Sequence, residues 1–256
     1  MPERPLEGRR IVVTRPREYA AALAGELEQL GATVIVMPLL QIESMKDEDA
    51  DVLDTVLRDV SSYDWIVFTS ANGVAAVREH LAGRLAGAKI AVVGPATTAA
   101  VRTLGVEPSF VPKNFAASEI ADGLGKLEGS RVLLPQADIA EPWLAEQLRA
   151  RGATVDAVVA YRTVAVDPSA VEAAELERGA DAVTLASGSG ARSLAALAAK
   201  FPLAAKALDR TLLVAIGPKT ADAAREVGLD IGLVADEASV SGIVGALVAH
   251  FGENAK

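Results

Sequence analysis

Five short segments of this chain combine small residues, hydroxyls and glycine in the way that anion-holding loops do. They are TRPRE at Thr14, TSANGV at Thr69, GPATT at Gly94, SGSGAR at Ser187 and GPKTA at Gly217. Each follows an apolar, β-branched run and leads into a helix-like stretch. Backbone N–H groups at a helix N-terminus bind anions without any net positive charge, so such loops suit a small anionic ligand. The hydroxyls of Ser70, Thr97, Ser187 and Thr220 serve equally well as helix N-caps, with or without a ligand. Arg15, just past the first apolar run, can either reach an anionic ligand or form a surface ion pair. Tyr161 is the most conspicuous polar aromatic: it ends the apolar run VDAVVA and opens RTV, where a structural and a functional reading both stand.

Several chemistries drop out on residue types. There are no cysteines, which excludes disulfides, thiolate zinc sites and a cysteine nucleophile. The two histidines, His80 and His250, both stand late in helix-like segments, where a cation complements the helix C-terminus. SGSGAR offers only G-x-G, with no suitably spaced acidic residue after a following strand, so a dinucleotide fingerprint is not met. No G-x-S-x-G is present and neither histidine is placed as a base, against a serine hydrolase. A formal charge of −9 without a Lys/Arg run argues against nucleic acid. The opening MPERPLEGRR lacks the apolar core of a signal peptide, and no apolar run approaches bilayer length, so a cytoplasmic protein with no membrane association is expected.

The elements that must position these loops are legible as alternation. RIVVT, ATVIVMP, DWIVFTS, KIAVVG, RVLLP, ATVDAVVA, DAVTLAS and TLLVAIG are strand-like runs with amphipathic stretches between them. Continuous rather than alternating apolar runs suit strands buried on both faces, hence parallel α/β sheets. In such sheets the loops gather at the carboxyl ends of the strands, where ligands bind. Tyr63 and Trp65 introduce one strand and read as core or strand-start residues.

The chain also repeats itself. Gly217, Pro218 and Thr220 lie 123 positions after Gly94, Pro95 and Thr97; RVLLP lies 121 after RIVVT, RGATV 121 after LGATV, and ADAVTLASGSG 117 after YDWIVFTSANG. Ser241 likewise falls 123 after Ser118. Matches in one order at nearly constant spacing point to duplication and to two similar domains, which 256 residues comfortably allow. The pattern breaks at MPLLQIESMKDED and AYRTVAVDPSA, at matching places in the two copies, which marks them as linkers.

Taken in order, TRP at Thr14, MPLLQIE, VFTSANGV, VVGPATT, LPQAD, AYRT, LASGSGAR and IGPKTA resemble the uroporphyrinogen-III synthase family along nearly the whole chain. The resemblance implies two similar parallel-sheet α/β domains joined by a two-stranded linker, with the chain crossing twice: residues 1–38 and 167–256 in one domain, 42–158 in the other, and linkers 39–41 and 159–166. The duplicated units are then exchanged, RIVVT packing with IGPKTA and RVLLP with VGPATT. It implies cyclisation of hydroxymethylbilane to uroporphyrinogen III in the interdomain cleft, with loss of water and inversion of the last pyrrole ring, and with no cofactor or metal. By motif, Tyr161 is expected to assist departure of the hydroxyl. Substrate binding falls to Arg15, Ser70, Ala71, Asn72, Gly94, Thr97, Ser187, Gly188, Ser189, Lys219 and Thr220, with Arg192 a further basic candidate. The expected partner is the substrate, with the preceding synthase of the pathway as a second; the expected state is a monomer. A non-catalytic tetrapyrrole sensor of the same fold is the alternative, disfavoured because the chain runs to FGENAK without a helix-turn-helix extension.

Overall fold

The computed structural model describes residues 4–81, 83–85, 87–113 and 117–252; the last four residues of FGENAK and the first three of MPERPLEGRR lie outside the described residues. From the amino end the chain forms β1 (Arg10–Val13), α1 (Arg17–Gln29), β2 (Thr33–Val36), β3 (Leu40–Ser44), α2 (Asp47–Arg58), β4 (Trp65–Phe68), α3 (Ala71–Leu81), β5 (Lys89–Val92), α4 (Pro95–Arg102), α5 (Ala117–Gly123) and β6 (Arg131–Ala137). It continues through α6 (Trp143–Ala150), β7 (Thr154–Ala165), α7 (Ala170–Glu177), β8 (Ala182–Leu185), α8 (Gly188–Lys200), α9 (Pro202–Leu208), β9 (Leu212–Ala215), α10 (Pro218–Glu226), β10 (Leu233–Val234) and α11 (Val240–Gly252). All eight strand-like runs of the sequence are strands.

The described chain divides into two compact units, residues 1–41 with 164–256 and residues 42–163. Each holds one five-stranded sheet, ordered β10-β9-β8-β1-β2 in the first unit and β3-β7-β6-β4-β5 in the second. The pairings of β1 with β2 and β8, of β8 with β9, of β4 with β5 and β6, and of β6 with β7 are all parallel. The two orders are one order: β9-β8-β1-β2 in the first sheet corresponds to β5-β4-β6-β7 in the second. Phe110, bridged in parallel to Ala91, stands beside β5 as β10 stands beside β9. RIVVT therefore shares a sheet with the strand before IGPKTA, and RVLLP with the strand before VGPATT.

Burial on both faces explains the continuous apolar runs. In the first unit Ile11 and Val13 pack with Leu23 of α1 and Leu247 of α11 on one face of the sheet, while Val12 packs with Leu194 of α8 and Ala221 of α10 on the other. In the second, Ile66 and Phe68 face Val74 and Val77 of α3, and Val67 faces Ile120 of α5 and Leu148 of α6. Each such side chain, fully removed from water, contributes about 1.5–3 kcal/mol against the unfolded chain. Polar groups in these layers are matched: the Thr14 hydroxyl donates to the Thr184 carbonyl at 2.7 Å, and the Thr184 hydroxyl to the Val12 carbonyl at 3.1 Å.

The two segments read as linkers are strands. MPLLQIE enters β3, and AYRTV is the second half of β7, a twelve-residue strand next to which β3 lies in the second sheet. β7 stays paired with β6 as far as Tyr161, opposite Ala137, after a register shift between Gln136 and Ala137. Pro135 sits in β6 beyond the residues that pair with β4, so its missing N–H leaves no gap in that ladder.

Candidate functional site

A parallel sheet brings the carboxyl ends of its strands to one edge, and in the second unit that edge holds a connected polar cluster. Ser70 follows β4, and its Oγ accepts a hydrogen bond from the Gly73 N–H at 3.0 Å, closing the first turn of α3. Gly73 suits a close approach: a Cβ there would lie 3.0 Å from the Pro135 carbonyl of β6. That contact seats the head of α3 over the sheet.

Tyr161 reaches the same head from β7. Its hydroxyl lies 2.9 Å from Ser70 Oγ, and Asn72 is a second hydrogen-bonding side chain. The residue is only 7% exposed, packed in the apolar layer with Val74 and Ala160. Burial pushes the phenol up from its ordinary value; the hydrogen bonds with Ser70 and Asn72 oppose the shift, and the charge of Asp138 adds to it. The phenol is thus neutral at physiological pH, a proton donor rather than a base. Asp138 is the residue that sequence reasoning passed over, although it closes the LPQAD motif. Its Oδ1 accepts from the Ile139 N–H at 3.0 Å and the Thr163 N–H at 2.9 Å, and its own N–H donates to the Tyr161 carbonyl at 3.1 Å. An aspartate just past a strand end, followed by a short turn, was the available signal.

The first unit repeats the capping half of this arrangement. Ser187 follows β8 and its Oγ accepts from the Gly190 N–H at 3.1 Å, so Ser187, Gly188 and Ser189 form the head of α8. A Cβ at Gly188 would come within 2.9 Å of the Ala223 side chain in the middle of α10, so the head of α8 packs closely against that helix. Arg15 follows β1 at the same edge. It is half-buried, its guanidinium lowered in pKa by burial, and it has no carboxylate partner among the described residues. The ion-pair reading of Arg15 is therefore corrected. Arg192 on α8 and Lys219 on α10 also lack such a partner among the described residues, whereas Arg9 and Arg10 at the opposite edge pair with Asp181 and Glu175. Arg15, Arg192 and Lys219 thus stand on the elements at the carboxyl edge without a carboxylate partner among the described residues.

The capping expectation holds for Ser70 and Ser187 and fails for Thr97 and Thr220. Gly94 and Gly217 are the N-caps of α4 and α10, without side-chain capping bonds, and Pro95 and Pro218 take the first helical positions. Proline favours that position because its missing N–H has no helical partner to lose. The threonines consequently fall two residues later, inside the first turn, 5% and 7% exposed. Ala71 lies at the head of α3 beside Asn72. Tyr63 belongs elsewhere: it is buried at the amino edge, donating to Asp156 at 2.6 Å beneath the Arg131 guanidinium. His80 and His250 stand in the last turns of α3 and α11, His80 against Asp54 at 2.8 Å. Among the described residues no group of three or more His, Asp or Glu could hold a metal ion, and no helix is long and apolar enough to cross a membrane.

Comparison with known proteins follows the same line. A family model described as uroporphyrinogen-III synthase HemD matches residues 21–245. A porphyrin biosynthesis protein HemD from Ruminiclostridium josui is 28% identical over 262 residues, covering 98% of this chain and 50% of that protein. A uroporphyrinogen-III synthase from Synechococcus elongatus is 30% identical over 170 residues, 64% of each. The chain thus spans 50% and 64% of the lengths of these two relatives. Among solved structures, a mutant uroporphyrinogen III synthase from Thermus thermophilus superposes with a TM-score of 0.64 at 21% identity, over 96% of this chain and 100% of that one, which establishes the shared fold. With the family model matching most of its length, the chain belongs to the uroporphyrinogen-III synthase HemD family.

Proposed function

We propose that this chain cyclises hydroxymethylbilane to uroporphyrinogen III, losing water and inverting the last pyrrole ring. The single observation that carries the chemistry is the buried, neutral Tyr161 phenol fixed 2.9 Å from Ser70 at the carboxyl edge of a parallel sheet. Family membership supplies the substrate class.

In this reading Tyr161 gives its proton to the hydroxyl on the first ring as the C–O bond breaks, and water leaves. The pyrrole nitrogen supplies the electron pair that leaves an azafulvene, which the last ring attacks through its substituted carbon to form a spiro intermediate. That intermediate fragments and recloses with the ring reversed. The substrate provides the electron push, so the protein's task is one well-placed acid and a fixed geometry for the two end rings. Acetate and propionate groups are assigned to the amides at the heads of α3, α4, α8 and α10 and to Arg15, Arg192 and Lys219. Thr97 and Thr220 are assigned to substrate contact as well. The protein works as a cytoplasmic monomer, receiving a labile substrate from the preceding synthase of the pathway.

Incubation with freshly prepared hydroxymethylbilane, followed by separation of the type I and type III isomers, tests this. Type III in excess, formed faster than spontaneous closure, is expected. Type I alone at the spontaneous rate overturns the proposal, and tetrapyrrole binding under those conditions would leave the sensor in its place.

A further inference from the structure

Counting donors around the Tyr161 phenol assigns a direction to its hydrogen bonds. Ser70 Oγ has one proton and two lone pairs. The Gly73 N–H occupies one lone pair at 3.0 Å, and Tyr161 Oη lies 2.9 Å away. The Asn72 side chain is a second hydrogen-bonding partner of the phenol, and its amide N–H can donate to the phenolic oxygen. Ser70 and Asn72 bracket the first residue of α3, an eleven-residue helix whose N-terminal dipole favours negative charge. If the phenolic proton pointed at Ser70, the serine's second lone pair would hold it and nothing would be left for a substrate. The opposite order fills both acceptor positions of the phenol oxygen, from Ser70 O–H and Asn72 N–H, and leaves its own O–H free.

We propose that Ser70 is a positioning residue for Tyr161: its hydroxyl donates to the phenolic oxygen, leaving the phenolic O–H for the departing hydroxyl and meeting the resulting phenolate with donors at the head of α3. The assignment rests on Tyr161 being the acid. The balance closes: the C–O electron pair leaves on oxygen, that oxygen takes the Tyr161 proton to become water, and the phenolate recovers a proton when the last ring loses its own on regaining aromaticity. The first unit shows that a serine cap does not require a phenol. Ser187 makes the same bond to Gly190, while the residue 121 positions before Tyr161, in the repeat's register, is Leu40. The cap is common to both units; the phenol resting on it belongs to one.

The experiment reads the proton directly. There are three tyrosines, so uniform 3-fluorotyrosine labelling gives three fluorine resonances, with Tyr161 assigned by its loss in Tyr161→Phe; the fluorine also brings the titrations to lower pH. Ser70→Ala removes a donor to the phenolate and should raise the Tyr161 titration by about one pH unit, since such charge-assisted bonds carry roughly that worth. Ser70→Thr should restore it. In the same variants kcat should fall about tenfold in Ser70→Ala with KM little changed, and recover in Ser70→Thr. A titration that falls or stays fixed in a folded Ser70→Ala protein overturns the assignment, because removing an acceptor from the neutral phenol has the opposite sign. Unchanged turnover in Tyr161→Phe instead overturns Tyr161 as the acid, whatever the titration does.

Discussion

The backbone N–H of Asp138 donates to the carbonyl of Tyr161 at 3.1 Å, and the Asp138 carboxylate then accepts from the N–H of Thr163, two residues further along β7, at 2.9 Å. One residue thus pins the strand at two points just past the register shift that presents the phenol. Asparagine keeps the accepting oxygen and removes the charge. Asp138→Asn should therefore fold normally while Tyr161 titrates at lower pH than in the parent, because the negative neighbour that helps keep it protonated is gone. Asp138→Ala loses the clamp and should be less stable by about 1 kcal/mol. Fluorotyrosine titration and urea unfolding separate the two effects; an unmoved Tyr161 in Asp138→Asn would remove the electrostatic role.

Alkaline stability follows from the two buried phenols. Tyr63 is raised by burial and by its bond to Asp156, and Tyr161 by burial. A group whose folded pKa is raised holds a proton that the unfolded chain, with an ordinary value of about 10, gives up first. The stability is fully present below about pH 10 and is lost as pH rises through the folded values. Urea midpoints should be flat on this account from neutrality to about pH 9 and fall beyond it, and Tyr63→Phe should flatten the fall. An unchanged alkaline slope in the Tyr63→Phe variant would contradict the assignment.

At the other end of the pH scale the capping box at α7 is the sensitive element. The Ser169 Oγ accepts from the Glu172 N–H at 3.3 Å while the Glu172 carboxylate accepts from the Ser169 N–H at 2.8 Å, and Arg17 adds an ion pair at 2.6 Å. Burial raises the Glu172 carboxyl, but the Ser169 and Arg17 hydrogen bonds outweigh it and the net shift is downward. A depressed carboxylate contributes stability present above its unfolded value of about 4.3 and lost as pH falls through the folded one. Ser169→Ala should lower stability by about 1 kcal/mol at pH 7 and reduce the further loss below pH 4. Equal acid sensitivity in parent and variant would place the acid-labile group elsewhere.

What the sequence made legible is what burial dictates. Strands covered on both faces, such as RIVVT and DWIVFTS, must be continuously apolar, so they stood out; duplication pointed to two similar domains, and the family resemblance implied the exchange of β1 and β6 between sheets. AYRTV was read as half of a two-stranded linker rather than as the continuation of a sheet strand because polar residues break its apolar run: Arg162 is exposed and paired with Asp49 of α2. β10 is two residues long and leaves no period to read. At the site, Ser70 and Ser187 were legible as caps because each is a hydroxyl residue between a strand-like run and a helix-like stretch. Thr97 and Thr220 misled because a hydroxyl near Gly-Pro resembles a cap, whereas the proline fixes the helix start one residue after the glycine. Asp138 was hidden because its partners are backbone groups of a strand distant in sequence.

Those two threonines give the last test. Thr97 and Thr220 are buried in the first turns of α4 and α10, without side-chain capping bonds, on helices that also bury Val101 and Ala221. Thr→Val conserves shape and removes only the hydroxyl, so a threonine with a purely structural place should tolerate it with little change in melting temperature. A hydroxyl kept at a buried helix head for a substrate carboxylate behaves differently. It leaves the fold indifferent to its loss but removes one charge-assisted hydrogen bond, about 1.5–3 kcal/mol, or on the order of ten- to a hundredfold in kcat/KM. We expect Thr97→Val and Thr220→Val each to melt within a few degrees of the parent and each to lose at least about tenfold in kcat/KM for type III product. Full activity in either variant would remove that threonine from the substrate surface. A large drop in melting temperature would mean instead that the hydroxyl holds the helix head, and the neighbouring Gly-Pro turn alone would remain as the ligand-facing feature.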